Sequence, residues 1–359
     1  MKTKRVIINQ ENQAEALREA AELLHQGEVV AFPTETVYGL GANALDSAAC
    51  EKIFQIKGRP ADNPLIVHVA SVEDAKKIVR YWPAEADLCA AKFWPGPLTI
   101  VLPKDESIPG IISAGLDTVA IRMPSHPVAL ALIQAVKVPL AAPSANISGK
   151  PSPTDGEHVW QDLNGKLPLI LDSGRTDYGL ESTVLDLSGT NPTILRPGGI
   201  TREQLIAELG KVELDAGVNG QLQASAKPKA PGMKYRHYAP RGKVILLDKE
   251  SDSEIAEAVR FQLKNKKNQE KLALLCLRET ASILESEIPV KVDLLYILGS
   301  RNNLQEAASR LFEGLRLCDE QGIDIIMAEG MTTEGIGLAY MNRLQKAVGK
   351  NSYLGFEKI

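Results

Sequence analysis

The rhythm of apolar and polar positions changes along the chain. Near the start, Val6–Ile8 and Val29–Phe32 read as short strands. Between them Leu17, Ala20, Ala21 and Leu24 recur at helical spacing until Gly27 stops the pattern. Asp46 or Ser47 then caps a helix predicted to run through Ile56 and to end at Gly58 and Pro60, and Leu65–Val69 is a covered strand. Ser71 opens another helix with a capping-box-like start, and one more ends near Phe93. Further strands are predicted within FWPGPLTIVL and at Val119–Arg122, Leu140–Ala142, Leu169–Asp172, Thr183–Leu187 and Thr193–Arg196. Helices are predicted at His126–Ala135 and Thr201–Leu209. Strands and helices mix here without a regular βα beat, so the expected class is α/β of the α+β kind, a twisted mixed sheet.

Residues 213–242 lose all periodicity and are rich in Gly, Pro and Lys, the mark of a linker. From Val244 the beat becomes regular, with strands at Val244–Leu247, Leu272–Cys276, Val292–Ile297 and Ile323–Met327. Helices are expected near Ser253–Lys264, Asn303–Asp319 and Gly337–Val348. Leu304, Ala308, Leu311, Leu315 and Cys318 form one helical stripe. The predicted organisation is a first domain over 1–212, a linker over 213–242 and a smaller, Rossmann-like α/β domain over 243–359.

Length favours two domains, since 359 residues exceed one typical domain. A net charge of −4 gives no overall basic field and argues against bulk nucleic-acid binding, a local basic cleft aside. Cys50, Cys89, Cys276 and Cys318 are scattered, with no CxxC and no metal-ligand spacing, as in a reducing compartment. There is no run of 18 apolar residues, and the start MKTKRVIINQ has no signal-peptide core, so a cytoplasmic protein is expected.

Candidate chemistry centres on Phe32–Val69. Lys57 and Arg59, two residues apart at a Gly/Pro bend, suit an anion held from one side. GLGANA (Gly39 to Ala44) matches the dinucleotide fingerprint only loosely, because a turn separates it from the preceding strand and no regular βαβ unit follows. No P-loop, GxSxG elbow, HExxH or EF-hand loop occurs. What recurs is a cation at a strand end beside hydroxyls: Lys57 with Arg59, then Arg122, then Arg196, with KYRHY (Lys234 to Tyr238) as a fourth. One such Arg ordinarily snorkels or pairs with a surface carboxylate. Several converging on Thr34, Thr36, Ser144, Asn146, Ser148, Ser152, Ser182 and Thr183 favour a bound polyanion. His68 ends an apolar run and reads either as a satisfied core group or as a functional one. Glu35 and Glu181 are either bases or structural carboxylates.

PTETVYGLGANA, KGRPADNPLIVHV, WPGPLTIVL, AIRMPSHP, APSANISGKPSPT, ESTVLDL and ILRPGG, in this order over Phe32 to Gly199, resemble the motif series of the YrdC-like threonylcarbamoyl-AMP synthases. APGMKYRHYAP and GIGLAYMNRLQKAV resemble the linker and C-terminal domain of the long, two-domain form. The resemblance implies a YrdC-like first domain. The implied reaction joins L-threonine, bicarbonate or CO2, and ATP into threonylcarbamoyl-AMP and pyrophosphate, for t6A in tRNA. By the same resemblance Thr36, His68, Arg122, the Ala142 backbone and Ser182 hold L-threonine. Arg59, Asn63, Thr118, Ser144, Ser152, Arg196 and either Tyr235 or Tyr238 contact ATP. Lys57 and Arg59 fall in the family's Lys-x-Arg motif beside the phosphates or bicarbonate. Mg2+ accompanies ATP, no protein metal ligand is implied, and the product passes to a tRNA threonylcarbamoyl-transferase complex. KYRHYAP, tethered between domains, suits a lid. Two other readings remain. One is a double-stranded RNA or tRNA-binding module, weakened by the charge of −4; the other is a hydrogenase-maturation carbamoyl transferase, whose acylphosphatase and CxxC elements are missing here.

Overall fold

The computed structural model describes residues 1–219, 238–248, 251–287 and 291–349. The chain divides into two compact units, Met1–Ser148 with Ser152–Tyr235, and Gly149–Pro151 with Arg236–Ile359. The triplet Gly149–Pro151 thus groups with the second unit although its neighbours on both sides belong to the first.

The first unit is built on eleven strands: β1 Lys4–Ile7, β2 Val30–Phe32, β3 Gly39–Asn43, β4 Ile66–His68, β5 Leu98–Pro103, β6 Thr118–Arg122, β7 Leu140–Ala141, β8 Leu169–Asp172, β9 Thr183–Asp186, β10 Thr193–Arg196 and β11 Glu213–Leu214. Their order in the sheet is β1-β8-β2-β3-β7-β4-β6-β5-β9-β10-β11. Parallel and antiparallel pairs occur together, β4 with β6 being parallel and β5 with β6 antiparallel, so the sheet is mixed. Helix α1 (Gln13–His25) buries Ala16, Leu17, Ala20, Ala21 and Leu24. Helix α2 (Ser47–Lys57) starts where the Asp46 carboxylate accepts from the N–H groups of Ala48 and Ala49. It stops at Gly58, whose φ of 59° suits a residue without Cβ.

Two segments depart from expectation. GLGANA, read as a loop, supplies β3 antiparallel to β2. Its glycines serve packing: a Cβ on Gly41 would lie 2.6 Å from Cε1 of the buried Phe32 ring, and one on Gly39 3.3 Å from its Cζ. At the start of the expected linker, Glu213 and Leu214 instead form a strand beside β10.

Alternation along the strands assigns each residue to a face. One face carries Ala31, Leu40, Val67, Ile121, Ile100 and Leu185 into the main core. The other carries Val30, Phe32 and Leu140 beneath α1 and the Pro127–Val136 helix. Farther across that second face lies a small cluster, Ile66, Val101, Ala120, Val184 and Leu195, all supplied by strands.

Among its described residues the second unit has four strands, β12 Lys243–Leu247, β13 Leu272–Leu277, β14 Leu294–Gly299 and β15 Ile325–Glu329, all parallel in the order β12-β15-β13-β14. Helices Asp252–Asn265, Leu304–Glu320 and Ile336–Val348 lie where the pattern places them. A fourth, Arg278–Glu287, was not foreseen; Ala281 and Leu284 are too few buried apolar positions to betray it.

Candidate active site

Register brings the expected threonine-pocket residues onto one face. His68 on β4 pairs with Arg122 on β6, and Arg122 pairs with Thr99 on β5, so these three side chains stand side by side. Thr99 in turn pairs with Val184 on β9. Two residues away along the same strands, before His68 and Arg122 and after Thr99, Ile66, Ala120 and Val101 make an apolar floor. Thr118, four residues before Arg122 on β6, shares its face roughly 13 Å along the strand.

Arg122 is hydrogen-bonded at two of its three guanidinium nitrogens and touches an acid with the third. Nη1 donates to Thr36 Oγ1 at 2.8 Å, Nε to the Gly96 carbonyl at 3.2 Å, and Nη2 lies 2.7 Å from Glu35 Oε1. Thr36 is fixed by its own turn, its Oγ1 being 2.8 Å from that of Thr34, which also donates to the Val37 carbonyl. Burial and the Arg122 charge push His68 down to about 3, so its imidazole is neutral. The Arg122 charge holds Glu35 below the usual carboxylate range despite the opposing effect of burial. Both Glu35 oxygens, Arg122 Nη2 and His68 Nδ1 are buried without a partner in hydrogen-bond geometry.

A second knot continues the row. Ser182 Oγ lies 2.7 Å from Thr99 Oγ1 and accepts from Arg196 Nη2 at 3.1 Å, while Arg196 Nε donates to the Ser182 carbonyl. Beside it Ser152 Oγ donates to Glu181 Oε1 at 2.5 Å. Gly198 is required here, since a Cβ would come 2.3 Å from the Thr183 nitrogen.

The Pro143–Thr154 loop runs along the Thr34–Leu40 segment, with the Leu40 N–H donating to the Pro143 carbonyl and the Tyr38 N–H to that of Pro153. Lys57, at the last turn of α2, is 2% exposed and donates to the carbonyls of Ser144 and Asn146 and to Asn146 Oδ1. Ser144 Oγ also reaches Asn146 Oδ1. An ammonium has three donors, and three acceptors stand around this one. Lys57, expected beside the phosphates, is bonded to this loop. Arg59 turns back on its own bend, Nη2 donating to the carbonyls of Asn63 and Pro64. Asn63 Oδ1 is buried without a hydrogen bond. Ala142 has its N–H on the Ile66 carbonyl.

Of the two linker tyrosines, Tyr238 is packed inside the second unit. Its ring stacks on Phe312 at 4.9 Å with Arg343 over it. Tyr235 and most of the KYRHY lid lie outside the described residues. Glu35 was named in the sequence only as a base or a structural carboxylate, and Thr99, inside the strand predicted within FWPGPLTIVL, was not named at all.

Two other places have less to offer a ligand. A cavity of about 670 Å³ is lined mainly by apolar residues including Leu45, Val69, Ile133 and Val138, and none of its residues carries a buried polar atom lacking a partner. In the second unit Arg301 pairs with Asp252 and Glu329, whose other oxygen accepts the Leu277 N–H. Among the described residues no group of three His, Cys, Asp or Glu side chains could hold a metal ion, and no helix is long and apolar enough to cross a membrane.

A mixed sheet presenting buried guanidinium groups, hydroxyls and a neutral imidazole on one face is suited to holding small charged molecules. The comparisons narrow that class. Residues 22–198 match the Sua5, YciO and YrdC family model described as telomere recombination, and residues 200–349 match the C-terminal domain of threonylcarbamoyl-AMP synthase. The threonylcarbamoyl-AMP synthase of Pyrococcus abyssi is 46% identical over 346 residues, covering 96% of this chain and 98% of that one. Its Bacillus subtilis counterpart is 44% identical over 354 residues, covering 97% and 99%. A crystal structure of Pyrococcus abyssi Sua5 complexed with L-threonine superposes with a TM-score of 0.88 at 45% identity, covering 98% of each chain. The chain belongs to the threonylcarbamoyl-AMP synthase family.

Proposed function

We propose that this protein is an L-threonylcarbamoyladenylate synthase: L-threonine, bicarbonate or CO2, and ATP give threonylcarbamoyl-AMP and pyrophosphate. The observation that carries the reading is the gathering of Thr36, His68, Arg122, Ser182 and Arg196 on one sheet face, in a chain 46% identical over 346 residues to a protein of that name.

Arg122 receives the amino acid's carboxylate, and Thr36, His68, the Ala142 backbone and Ser182 surround the rest of it. Arg59, Asn63, Thr118, Ser144, Ser152 and Arg196 contact ATP, and Tyr235 is the linker tyrosine that joins them. The threonine amine, as its free base, attacks CO2; a C–N bond forms and a proton leaves. A carbamate oxygen then attacks the α-phosphorus, and the P–O bond to pyrophosphate breaks. Such a transfer needs alignment and cations around the developing charge, not a covalent protein intermediate. Mg2+ would enter with ATP and supply counter-charge to its phosphates. Lys57 acts by holding Ser144 and Asn146 in place. The enzyme works in the cytoplasm and hands its product to a tRNA threonylcarbamoyl-transferase complex.

The test is pyrophosphate release from MgATP by the full chain. Release that requires both L-threonine and bicarbonate is expected; release indifferent to either, or none alongside salt-sensitive tRNA binding, overturns the reading.

A further inference from the structure

Glu35 sits in the turn between β2 and β3, 2% exposed, with Oε1 2.7 Å from Arg122 Nη2. By strict geometry neither oxygen completes a hydrogen bond, although Arg122 and the backbone N–H groups of Glu35 and Ser125 stand near enough to favour its anion, and Arg122 Nη2 and His68 Nδ1 also lack a bond of good geometry. Four buried polar atoms within one turn and two adjacent strands therefore lack hydrogen bonds of good geometry, whereas the strand-end Arg196 nearby bonds the Ser182 carbonyl and hydroxyl. Atoms of this kind are costly to leave unmatched unless a ligand matches them.

The charges say which ligand. Arg122 is cationic and Glu35 anionic, while the neighbouring His68 is neutral because burial and Arg122 both oppose its protonation. The place therefore holds one positive and one negative group side by side. A plain carboxylate would satisfy Arg122 and leave Glu35 facing a second anion. A zwitterion satisfies both, its carboxylate on the guanidinium and its ammonium on the carboxylate.

Resting on the function argued above, we infer that Glu35 anchors the α-ammonium of the amino-acid substrate and so selects an α-amino acid over its des-amino analogue. Glu35 kept as the anion suits this role. It offers the ammonium a counter-charge in a place where the nearest other ion, Arg122, would repel it.

Calorimetric titration of the full chain tests this with two ligands, L-threonine and 3-hydroxybutyrate, which is threonine without its amino group. In the wild type threonine should bind at least tenfold more tightly. Glu35→Gln should weaken threonine at least tenfold and change 3-hydroxybutyrate less than twofold. Equal weakening of both ligands would mean that Glu35 only orients Arg122, and no change in either would mean that it is idle; each overturns the assignment. Should the variant fail to fold, the wild-type comparison decides alone, since affinities within twofold of each other leave the ammonium without an anchor. A wild type that binds both ligands alike yet releases pyrophosphate with threonine, bicarbonate and ATP sinks the Glu35 assignment and spares the function. A wild type that binds no threonine sinks both.

Discussion

Replacing Lys57 with Met separates a loop fastener from a phosphate contact. Lys57→Met keeps the length of the side chain and removes the ammonium from two short bonds, to the carbonyls of Ser144 and Asn146, and a longer one to Asn146 Oδ1. Each bond to a charged donor contributes roughly 1.5–3 kcal/mol, so the two short ones together contribute about 3–6 kcal/mol. Burying a thioether where an ammonium stood returns about a third of that, leaving a net loss of about 2–4 kcal/mol. Against a total stability of roughly 5–15 kcal/mol this is a large fraction. Trp82, Trp94 and Trp160 are all the tryptophans of the chain and all belong to the first unit, so urea unfolding followed by tryptophan fluorescence reports on that unit. The midpoint should fall with the slope unchanged. A variant that unfolds within about 0.5 kcal/mol of the wild type, yet makes no product, would show that Lys57 spends its charge on the nucleotide and that the loop stands without it.

Two further outcomes follow from the same fluorescence assay. Gly41→Ala puts a Cβ 2.6 Å from the Phe32 ring and should cost about 1–3 kcal/mol by overpacking; a change under about 0.5 kcal/mol would refute packing as the reason for that glycine. His68, pushed down from 6.5 to about 3, binds its proton in the unfolded chain well before it does so in the folded one. Its contribution is fully present above pH 6.5 and is lost as pH falls towards 3, so His68→Gln should flatten the stability–pH slope in that window by up to about 1.4 kcal/mol per pH unit; equal slopes would mean the imidazole is protonated in the fold.

Periodicity revealed most of the elements because most of them bury one face. It failed where burial leaves no such pattern. In GLGANA both glycines lie on the Phe32 side and contribute no apolar side chain, so a strand looked like a loop. In Arg278–Glu287 two apolar anchors gave too faint a stripe. The site was legible as residue types and not as bonds. Arg122, His68 and Ser182 were named from motifs, yet nothing local announces that Glu35 is 2.7 Å from a residue 87 positions later, or that Thr99 meets Ser182. Lys57 and Arg59 looked alike as cations at one bend, but both turn to backbone carbonyls, a choice set by where the chain returns. Tyr238 and Tyr235 looked alike in sequence, and nothing local announces that the Tyr238 ring stacks on Phe312, 74 residues away.

The strands explain why this site and the core of its unit stand or fall together. On β4, β6 and β5 the residues that face the ligand side are His68, Arg122 and Thr99, and the residues beside them in sequence, Val67, Ile121 and Ile100, are wholly buried in the main core. A strand has a period of two, so a slip of one residue in any of these pairings would send a charged or polar chain into that core and an apolar one into the site. Burying Arg122 among Leu98, Leu102 and Val119 without Glu35 or Thr36 would cost far more than any alternative register could recover. The same ion pair that prepares the pocket for a zwitterion therefore also fixes the register of the three central strands. Glu35 and Arg122 act on folding through the sheet and on binding through the ligand, which is why the Glu35 variant has to be judged by the difference between two ligands and not by loss of activity.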